Sequence, residues 1–552
     1  MLRSKIIPLI LFVFTACIIF TSCSKSNQQG RYVPADAAIV VHINAAAIND
    51  KLPWDEVKQN ELFAMLYQDT AITAAAKTAL ENPENTGIDI RKDMLMFMQK
   101  DSLGTYIAFE GSIKDAAKFK SYNTGVITGA TASEKNGINF ISNKRSTVSW
   151  DKEKFVIITD LPEASQLQGM GGMMMQDSLA IPPDMPAATL NRDGVATATA
   201  IYNLAEKNSM AKNERFSELV GTKGDAHFYM NVEKLNSGNP AMDALAMLNI
   251  NKLIEGSMAL ATINFDNGQI NVDMKSYAGK EMTELWKKYS GGKINSEMAK
   301  KLPAKDVAFF FAMNFKPEGI KAFVQLAGLE GLINMGSAFL GFNLDDFVKA
   351  NKGDIMLALT DITQDSIGKP DMNFLFSASI GDKVSFDKLI AAGNKMGQED
   401  ASISGKVFTN GNNNYFAIGN KQQTVNDFIT KDANSSFDFL SKIASSPTGA
   451  YINMQYLMNS FKEEASKDSL ANIAMNASLK MWDHIILSGG EFKDGGVTQH
   501  LEVNLVDKST NSLKQLNKYM GVIGSAAKAK SKEDKDMWNM DPVVADTATI
   551  VQ

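Results

Sequence analysis

Cysteine is nearly absent from this 552-residue chain. The sequence holds two cysteines, Cys17 and Cys23, and both lie before residue 30. The rest of the chain therefore has no thiol for a disulfide, a thiolate metal site or a cysteine nucleophile. Histidine is also scarce, with four residues in all. From this composition we expect no metal site and no cofactor.

An excess of positive charge is missing as well. Lysine and arginine number 56 against 62 acidic residues, which gives a formal net charge of −6. Because nucleic-acid binding needs a basic face, we expect no nucleic-acid partner. The hydrophobic fraction of 45% and the charged fraction of 21% are those of a folded protein. A chain of this length exceeds one hydrophobic core, so the sequence predicts more than one domain.

Motifs for a nucleophile or a bound phosphate are lacking too. The chain has no G-x-S-x-G turn, no P-loop and no H-E-x-x-H helix, the patterns that position a serine, a phosphate or a zinc ion. The glycines of Gly169–Gln176 follow no predicted strand and open no predicted helix, so they are not a dinucleotide-binding turn. We therefore expect a protein that is not an enzyme and has no catalytic residues.

What the sequence does contain begins with a leader. Two basic residues precede an apolar run, Ile6–Phe20, of signal-peptide length. The residues Phe-Thr-Ser-Cys that end at Cys23 resemble a bacterial lipobox, and a polar segment follows them. The sequence predicts a lipoprotein signal peptide over residues 1–22 and a polar tether over residues 23–30. Acyl chains such as palmitate on Cys23 would hold the body to a membrane.

The residues after Cys23 bear on which membrane that is. Ser24 rather than aspartate follows the cysteine, a pattern that by resemblance to enteric sorting favours the outer membrane. Surface-exported lipoproteins often carry acidic residues at this point, and Lys25–Asn27 has none. We expect an outer-membrane lipoprotein on the periplasmic face, with exposure at the cell surface as the open alternative.

Two stretches of the chain are nearly alike. PADAAIVVHIN, Pro34–Asn44, returns as PAKDVAFFFAMN, Pro303–Asn314. Both are rich in β-branched or aromatic residues after a proline turn, which is typical of a buried strand. The predicted elements after each stretch also follow one order. The sequence thus predicts two tandem repeats, residues 31–290 and 296–520, and a flexible C-terminal tail over residues 521–552.

The repeated order predicts an α+β fold. Two hairpins close at corresponding turns, Asp266–Gly268 and Asp494–Gly496, where Asn-Gly and Asp-Gly favour a tight connection between antiparallel strands. We expect two pseudo-symmetric repeats of mainly antiparallel sheet, with helices packed on one face.

A family resemblance rests on the first repeat. The residues VPADAAIVVHIN, followed by KLPWDEVKQNELF at 51–63 and preceded by the lipobox, resemble an uncharacterised family of Gram-negative, Bacteroides-type lipoproteins described as a domain of unknown function. The resemblance implies a lipid-anchored envelope protein. It brings no known catalytic residues.

The repeats provide an internal test of the histidines. A site that both copies share should show the same polar residue at equivalent positions. His42 falls opposite Ala312, and we align His227 with Tyr451, so neither histidine is repeated. We expect each to be a strand or surface residue rather than a metal ligand.

Two apolar segments are candidates for contact. Residues 168–186 combine glycine, proline and methionine, which makes an apolar and pliable loop. Its proposed contacts with a partner or ligand are Met170, Met173, Met174 and Met175. Ile320–Phe342 predicts a buried helical hairpin broken near Gly328 or Gly331. Its functional alternative is one wall of a lipid-sized groove between the copies.

These observations favour a binding protein. We expect a non-enzymatic, membrane-anchored lipoprotein that binds or scaffolds a partner in the cell envelope. The alternative is a carrier of a hydrophobic ligand such as a lipid. An envelope hydrolase with an unrecognised site ranks third.

Overall fold

The computed structural model describes residues 29–68, 73–127, 129–143, 146–161, 192–237, 248–364, 370–399 and 407–538. The chain divides into two units. Unit 1 comprises residues 1–49, 74–264 and 273–283, and unit 2 comprises residues 50–73, 265–272 and 284–552. Both combine antiparallel strands with helices, which confirms the α+β class.

The elements alternate along the whole described chain. The strands are β1 Ile39–Ile43, β2 Met94–Asp101, β3 Gly104–Ser112, β4 Thr131–Lys135, β5 Ile138–Ser142, β6 Ser146–Trp150, β7 Lys154–Asp160, β8 Ala226–Asn231, β9 Met258–Asp266, β10 Gln269–Tyr277, β11 Val307–Asn314, β12 Asn351–Gln364, β13 Pro370–Ile380, β14 Phe408–Gly411, β15 Tyr415–Gly419, β16 Thr448–Asn453, β17 Trp482–Lys493 and β18 Gly496–Leu505. The helices are α1 Ala45–Lys51, α2 Trp54–Val57, α3 Glu61–Gln68, α4 Ala74–Glu81, α5 Ala116–Val126, α6 Gly194–Tyr202, α7 Glu214–Gly221, α8 Val232–Asn236, α9 Ile250–Ile254, α10 Lys280–Tyr289, α11 Ser296–Lys300, α12 Pro317–Leu326, α13 Glu330–Leu340, α14 Leu344–Ala350, α15 Lys383–Glu399, α16 Gln422–Thr430, α17 Leu440–Ile443, α18 Met454–Ala465, α19 Ser469–Met481 and α20 Ser512–Trp538.

The last helix corrects part of one prediction. The sequence predicts a flexible tail from residue 521, but α20 continues to Trp538, so residues 521–538 are helical. Residues 539–552 lie outside the described part of the chain. The mixed charges of this segment suit an exposed helix as well as a tail, which is why composition alone does not separate the two.

The sheet of unit 1 has β1 near its middle. Its strand order is β4-β5-β6-β7-β3-β2-β1-β8-β9-β10. β1 is antiparallel to β2 on one side and to β8 on the other. Because side chains alternate between the two faces of a strand, Val40 and His42 of β1 share one face, and both are buried.

The sheet of unit 2 repeats this arrangement. Its strand order is β14-β15-β13-β12-β11-β16-β17-β18. If β11 is aligned with β1, this order matches the order β6-β7-β3-β2-β1-β8-β9-β10 of unit 1. Strands β4 and β5 have no counterpart among the described strands of unit 2. A duplication predicts such a match. Common descent of the two units stays a prediction, since strand order alone does not establish it.

Helices cover both faces of the unit 1 sheet at β6 and β7. On one face α6 packs on β6, where Gly194 approaches Thr147 so closely that an added Cβ would lie 2.0 Å from the hydroxyl oxygen. On the other face Phe119 of α5 stacks on Phe155 and meets the edge of Trp150. The helices of unit 1 therefore do not keep to one face as predicted, because these strands bury side chains on both sides.

Unit 2 has an apolar core around β11. Phe310 is fully buried, and its ring centroid lies 5.1 Å from that of Phe439. Burial of such a side chain stabilises the fold by roughly 1.5–3 kcal/mol. Asp494 and Gly495, between β17 and β18, have φ of 49° and 78°. Two positive φ values are typical of the tight turn that the sequence predicts here.

Candidate functional site

The contact residues proposed from the sequence lie outside the described part of the chain. These are the lipidation residue Cys23 and the loop residues Met170, Met173, Met174 and Met175. Their roles stay predictions. The candidate sites below are built from described residues.

The segment Ile320–Phe342 is a helical hairpin. α12 ends at Leu326 and α13 begins at Glu330. Gly328 between them has φ of 71°, a left-handed conformation that favours glycine. The predicted break at Gly328 is therefore confirmed.

The sequence predicts that helix α13 is buried, but the structure leaves one of its faces exposed. Leu332 is 54% exposed and Met335 is 71% exposed. Nothing lies within 4 Å of a Cβ added at Gly331 or Gly336. The 14 residues 331–344 contain no charge. Apolar composition leads to burial only where a second surface covers the helix, and α13 leaves this face uncovered, so it is a candidate contact surface.

Two histidines meet inside unit 1, a contact that the sequence does not predict. β1 and β8 pair so that His42 lies directly opposite His227, and each residue is 2% exposed. Their Nδ1 atoms are 3.0 Å apart. The two residues are 185 positions apart in the chain, so only the register of β1 against β8 brings them together.

The outer nitrogens of this pair face oxygen atoms. His42 Nε2 lies 3.3 Å from a carboxylate oxygen of Asp93, which also accepts a hydrogen bond from Gln29. His227 Nε2 lies 3.0 Å from the carbonyl oxygen of Thr222. The adjacent His42 ring lowers the pKa of Asp93, although among the described residues His42 Nε2 itself has no partner with hydrogen-bond geometry. Burial, and then the neighbouring His42, lower the pKa of His227.

A second titratable group is buried on β3 of unit 1. Glu110 is 1% exposed, and its Oε2 has no hydrogen-bond partner among the described residues. Burial raises the pKa of Glu110 to about 7, and Lys154 acts in the opposite direction. Near neutral pH this carboxyl group therefore populates both its neutral and its ionised form, which makes it a proton-exchanging group.

Two carboxylates of unit 1 converge on an arginine. The Arg192 side chain is 2% exposed and lies 2.6 Å from Asp101 and 2.5 Å from Asp160. Its guanidinium also stacks 4.4 Å from the centroid of the Tyr106 ring. Both carboxylates are thus neutralised by a buried cation, an arrangement that suits a structural ion network.

The other two histidines lie on strands of unit 2. His484 Nδ1 is 3.2 Å from Asp483, and His500 Nε2 is 3.6 Å from Glu502. Over the described residues, no group of three or more histidine, cysteine, aspartate or glutamate side chains is arranged to hold a metal ion. Within the same part of the chain, every helix is too short or too polar to cross a membrane.

Comparison with known proteins gives one extensive match. A family model described as Domain of unknown function (DUF4836) matches residues 31–166 and 195–447. Crystal form IV of TP0453 is 10% identical, with a TM-score of 0.23, over 44% of this chain and 80% of that one. Crystal form I is 12% identical, with a TM-score of 0.22, over 45% and 79%. TM-scores of this size do not establish a shared fold. No curated protein sequence matches the chain.

Proposed function

The chain belongs to the family described as Domain of unknown function (DUF4836), and within that family we propose that it is a membrane-anchored lipoprotein that binds a partner in the cell envelope. The exposed, uncharged face of α13 carries this proposal, because Leu332 and Met335 offer an apolar surface of the kind found at protein contacts. The proposed anchor is acylated Cys23, and the proposed location is the periplasmic face of the outer membrane. The protein is proposed to be non-enzymatic, and the pairing of its converging carboxylates with Arg192 supports this.

Partner binding is tested by substitutions on α13. We expect crosslinked affinity purification of the full chain from native envelopes to recover a partner that Leu332→Glu with Met335→Glu loses. Val384→Glu is the matched control, because Val384 is 68% exposed on another helix of unit 2. A partner that survives the double substitution would contradict a role for α13. Deletion of residues 168–186 then tests the methionine-rich loop in the same assay.

The anchor is tested at the two cysteines. We expect Cys23→Ser to abolish incorporation of labelled palmitate and to release the body from the membrane fraction, because the acyl chains supply the attachment. Cys17→Ser should leave both unchanged. Loss of label from Cys17→Ser alone would move the lipidation site.

A carrier of a hydrophobic ligand is the second candidate. Phe323 of α12, like Leu332 of α13, is exposed, so the hairpin offers an apolar surface to a lipid as well as to a protein. Lipid extraction and mass spectrometry of the Cys23→Ser chain should then find one bound species that Leu332→Glu removes. An empty chain would reject this candidate and leave the partner-binding proposal in place.

A further inference from the structure

Most methionines in the described part of the chain are buried or half-buried. Met210 and Met356, for example, are 0% exposed. The exposed ones among the described residues are Met335 at 71%, Met520 at 51% and Met96 at 38%. A thioether that solvent reaches is open to oxidation, whereas one packed in a core is shielded until the core opens. Met335 is thus the described methionine with the greatest access to a dissolved oxidant.

The sequence of α13 around Met335 explains this access. Helix side chains lean toward the N-terminus of the helix, over the residues three and four positions earlier, which here are Leu332 and Gly331. Gly331 has no side chain, and no described atom lies within 4 Å of a Cβ added there or at Gly336. Leu332 is itself exposed. The glycines on either side of Met335 therefore leave its thioether open to solvent.

An exposed thioether reacts with a peroxide by two-electron oxidation. A sulfur lone pair attacks one oxygen of hydrogen peroxide, the O–O bond breaks, and the leaving hydroxide takes the proton of the new S–OH group and departs as water. The sulfur is oxidised to a sulfoxide, and the peroxide is reduced. We propose that Met335 is a site of reversible oxidation by peroxides, and that its sulfoxide weakens the contact of α13 with the envelope partner. The second part of this inference rests on the partner binding proposed above.

The sulfoxide weakens this contact because its S–O bond is strongly polar. Residues 331–344 contain no charge, so the exposed face of α13 offers apolar contact to a partner. A contact that covers Leu332 and Met335 would remove water from the sulfoxide oxygen, which then needs a hydrogen-bond donor. An apolar partner surface supplies no donor, so the affinity should fall by about tenfold or more.

The oxidation site is tested on the purified full chain without a partner. The detergent-solubilised chain is treated with hydrogen peroxide, and peptide mass spectrometry follows the gain of one oxygen at each methionine. We expect the sulfoxide to form faster at Met335 than at Met520, and faster at both than at the buried Met356. Methionine sulfoxide reductases should then restore the Met335 thioether in the folded chain. A Met335 that reacts no faster than Met356 would overturn the proposal.

The effect on binding is tested by comparing each chain with itself before and after oxidation. The purified chain is oxidised, freed of peroxide and then crosslinked to partners from untreated envelopes. Oxidation of the unmodified chain should reduce recovery of the partner by about tenfold or more. Met335→Leu retains an apolar side chain that peroxide does not oxidise, so oxidation should not change the recovery that this variant shows. An equal loss in both chains would overturn the proposal, because another methionine would be responsible.

Two matched substitutions imitate the sulfoxide without an oxidant. Met335→Gln places a polar side chain of similar length on α13 and should lose the partner. Met520→Gln makes the same change at an exposed methionine of α20 and should keep it. Retention of the partner by Met335→Gln would overturn the proposed effect on binding. If the untreated chain recovers no partner, the proposed partner binding fails, and the peptide mapping alone decides whether Met335 is the oxidation site.

Discussion

Corresponding strand positions in the two units hold residue pairs of different polarity and size. In unit 1, β1 and β8 bring His42 against His227, and in unit 2 the corresponding strands β11 and β16 bring Ala312 against Gly449. The small pair lets Ile443 approach, so a Cβ added at Gly449 would lie 2.5 Å from the Cβ of Ile443. One strand register thus accommodates a buried polar pair or a close-packed apolar contact, and the side chains decide which.

A carboxylate is common to both places. Asp93 and Asp354 occupy corresponding positions in the segments that pair with β1 and β11. Asp354 accepts hydrogen bonds from Asn295 and Asn314, at 3.0 and 2.7 Å, where Asp93 faces His42. Amides do not titrate in the physiological range, whereas imidazoles do. The shared acid therefore belongs to the scaffold, and its neighbours differ between the units: an imidazole and an amide at Asp93, and two amides at Asp354.

The largest effect should come from breaking the ion network of unit 1. Arg192→Ala leaves Asp101 and the mostly buried Asp160 without their cation, which should cost about 3–5 kcal/mol of unfolding free energy. Lys442→Ala in unit 2 is the control, because the Lys442 side chain is 47% exposed where that of Arg192 is 2% exposed, and an ion pair with a solvated cation contributes about 0–1 kcal/mol. Hydrogen exchange in each unit, measured at increasing denaturant concentration, gives the unfolding free energy of both variants. Equal costs would show that burial does not set the value of these pairs.

A somewhat smaller effect should appear at Glu110 and should depend on pH. The folded-state pKa of Glu110, about 7, lies above its ordinary value because of burial. The folded chain therefore keeps a proton that the unfolded chain loses, and stability falls as pH rises from about 4.3 to about 7. Glu110→Gln stays neutral, so its advantage over the unmodified chain should grow across this window to about 3 kcal/mol.

Unit 2 supplies the control for Glu110. Ser377 holds the corresponding position on β13 and is also fully buried. Ser377→Ala changes no titratable group, so its effect on stability should be the same throughout this pH window. A constant difference for Glu110→Gln as well would mean that Glu110 is not the group that titrates.

Local features of this fold follow from the sequence. The tight turn at Asp494–Gly495 and the break at Gly328 are each set by a few consecutive residues whose φ values only certain side chains adopt easily. The alternation of β1, with Val40 on the core face, is set in the same way by period two. Such signals need no knowledge of which strands become neighbours.

The candidate sites depend on pairings that one sequence does not reveal. The alignment of His227 with Tyr451 is wrong, because Tyr451 pairs with Phe310 as Tyr229 pairs with Val40, so that His227 corresponds to Gly449. A shift of two residues keeps every side chain on its face, and the hydrophobic pattern therefore does not detect it. The exposure of α13 could not be predicted for a related reason, because the composition of a helix does not indicate which other elements cover it.

The smallest expected effect tests the apolar side of the comparison. Gly449→Ala adds a Cβ 2.5 Å from the Cβ of Ile443 and 3.0 Å from Cδ1 of Ile294, so the core must shift, at a cost of about 1–3 kcal/mol. Gly411→Ala on β14 is the control, because its nearest atom would be 3.4 Å away, and reduced freedom of the unfolded chain should make it neutral or stabilising by about 0.4–1 kcal/mol. Thermal unfolding compares the two. If Gly449→Ala were as mild as its control, the close approach of Ile443 would not explain why unit 2 has glycine at this position. The contrast with His227 would then rest only on the different partners of Asp93 and Asp354.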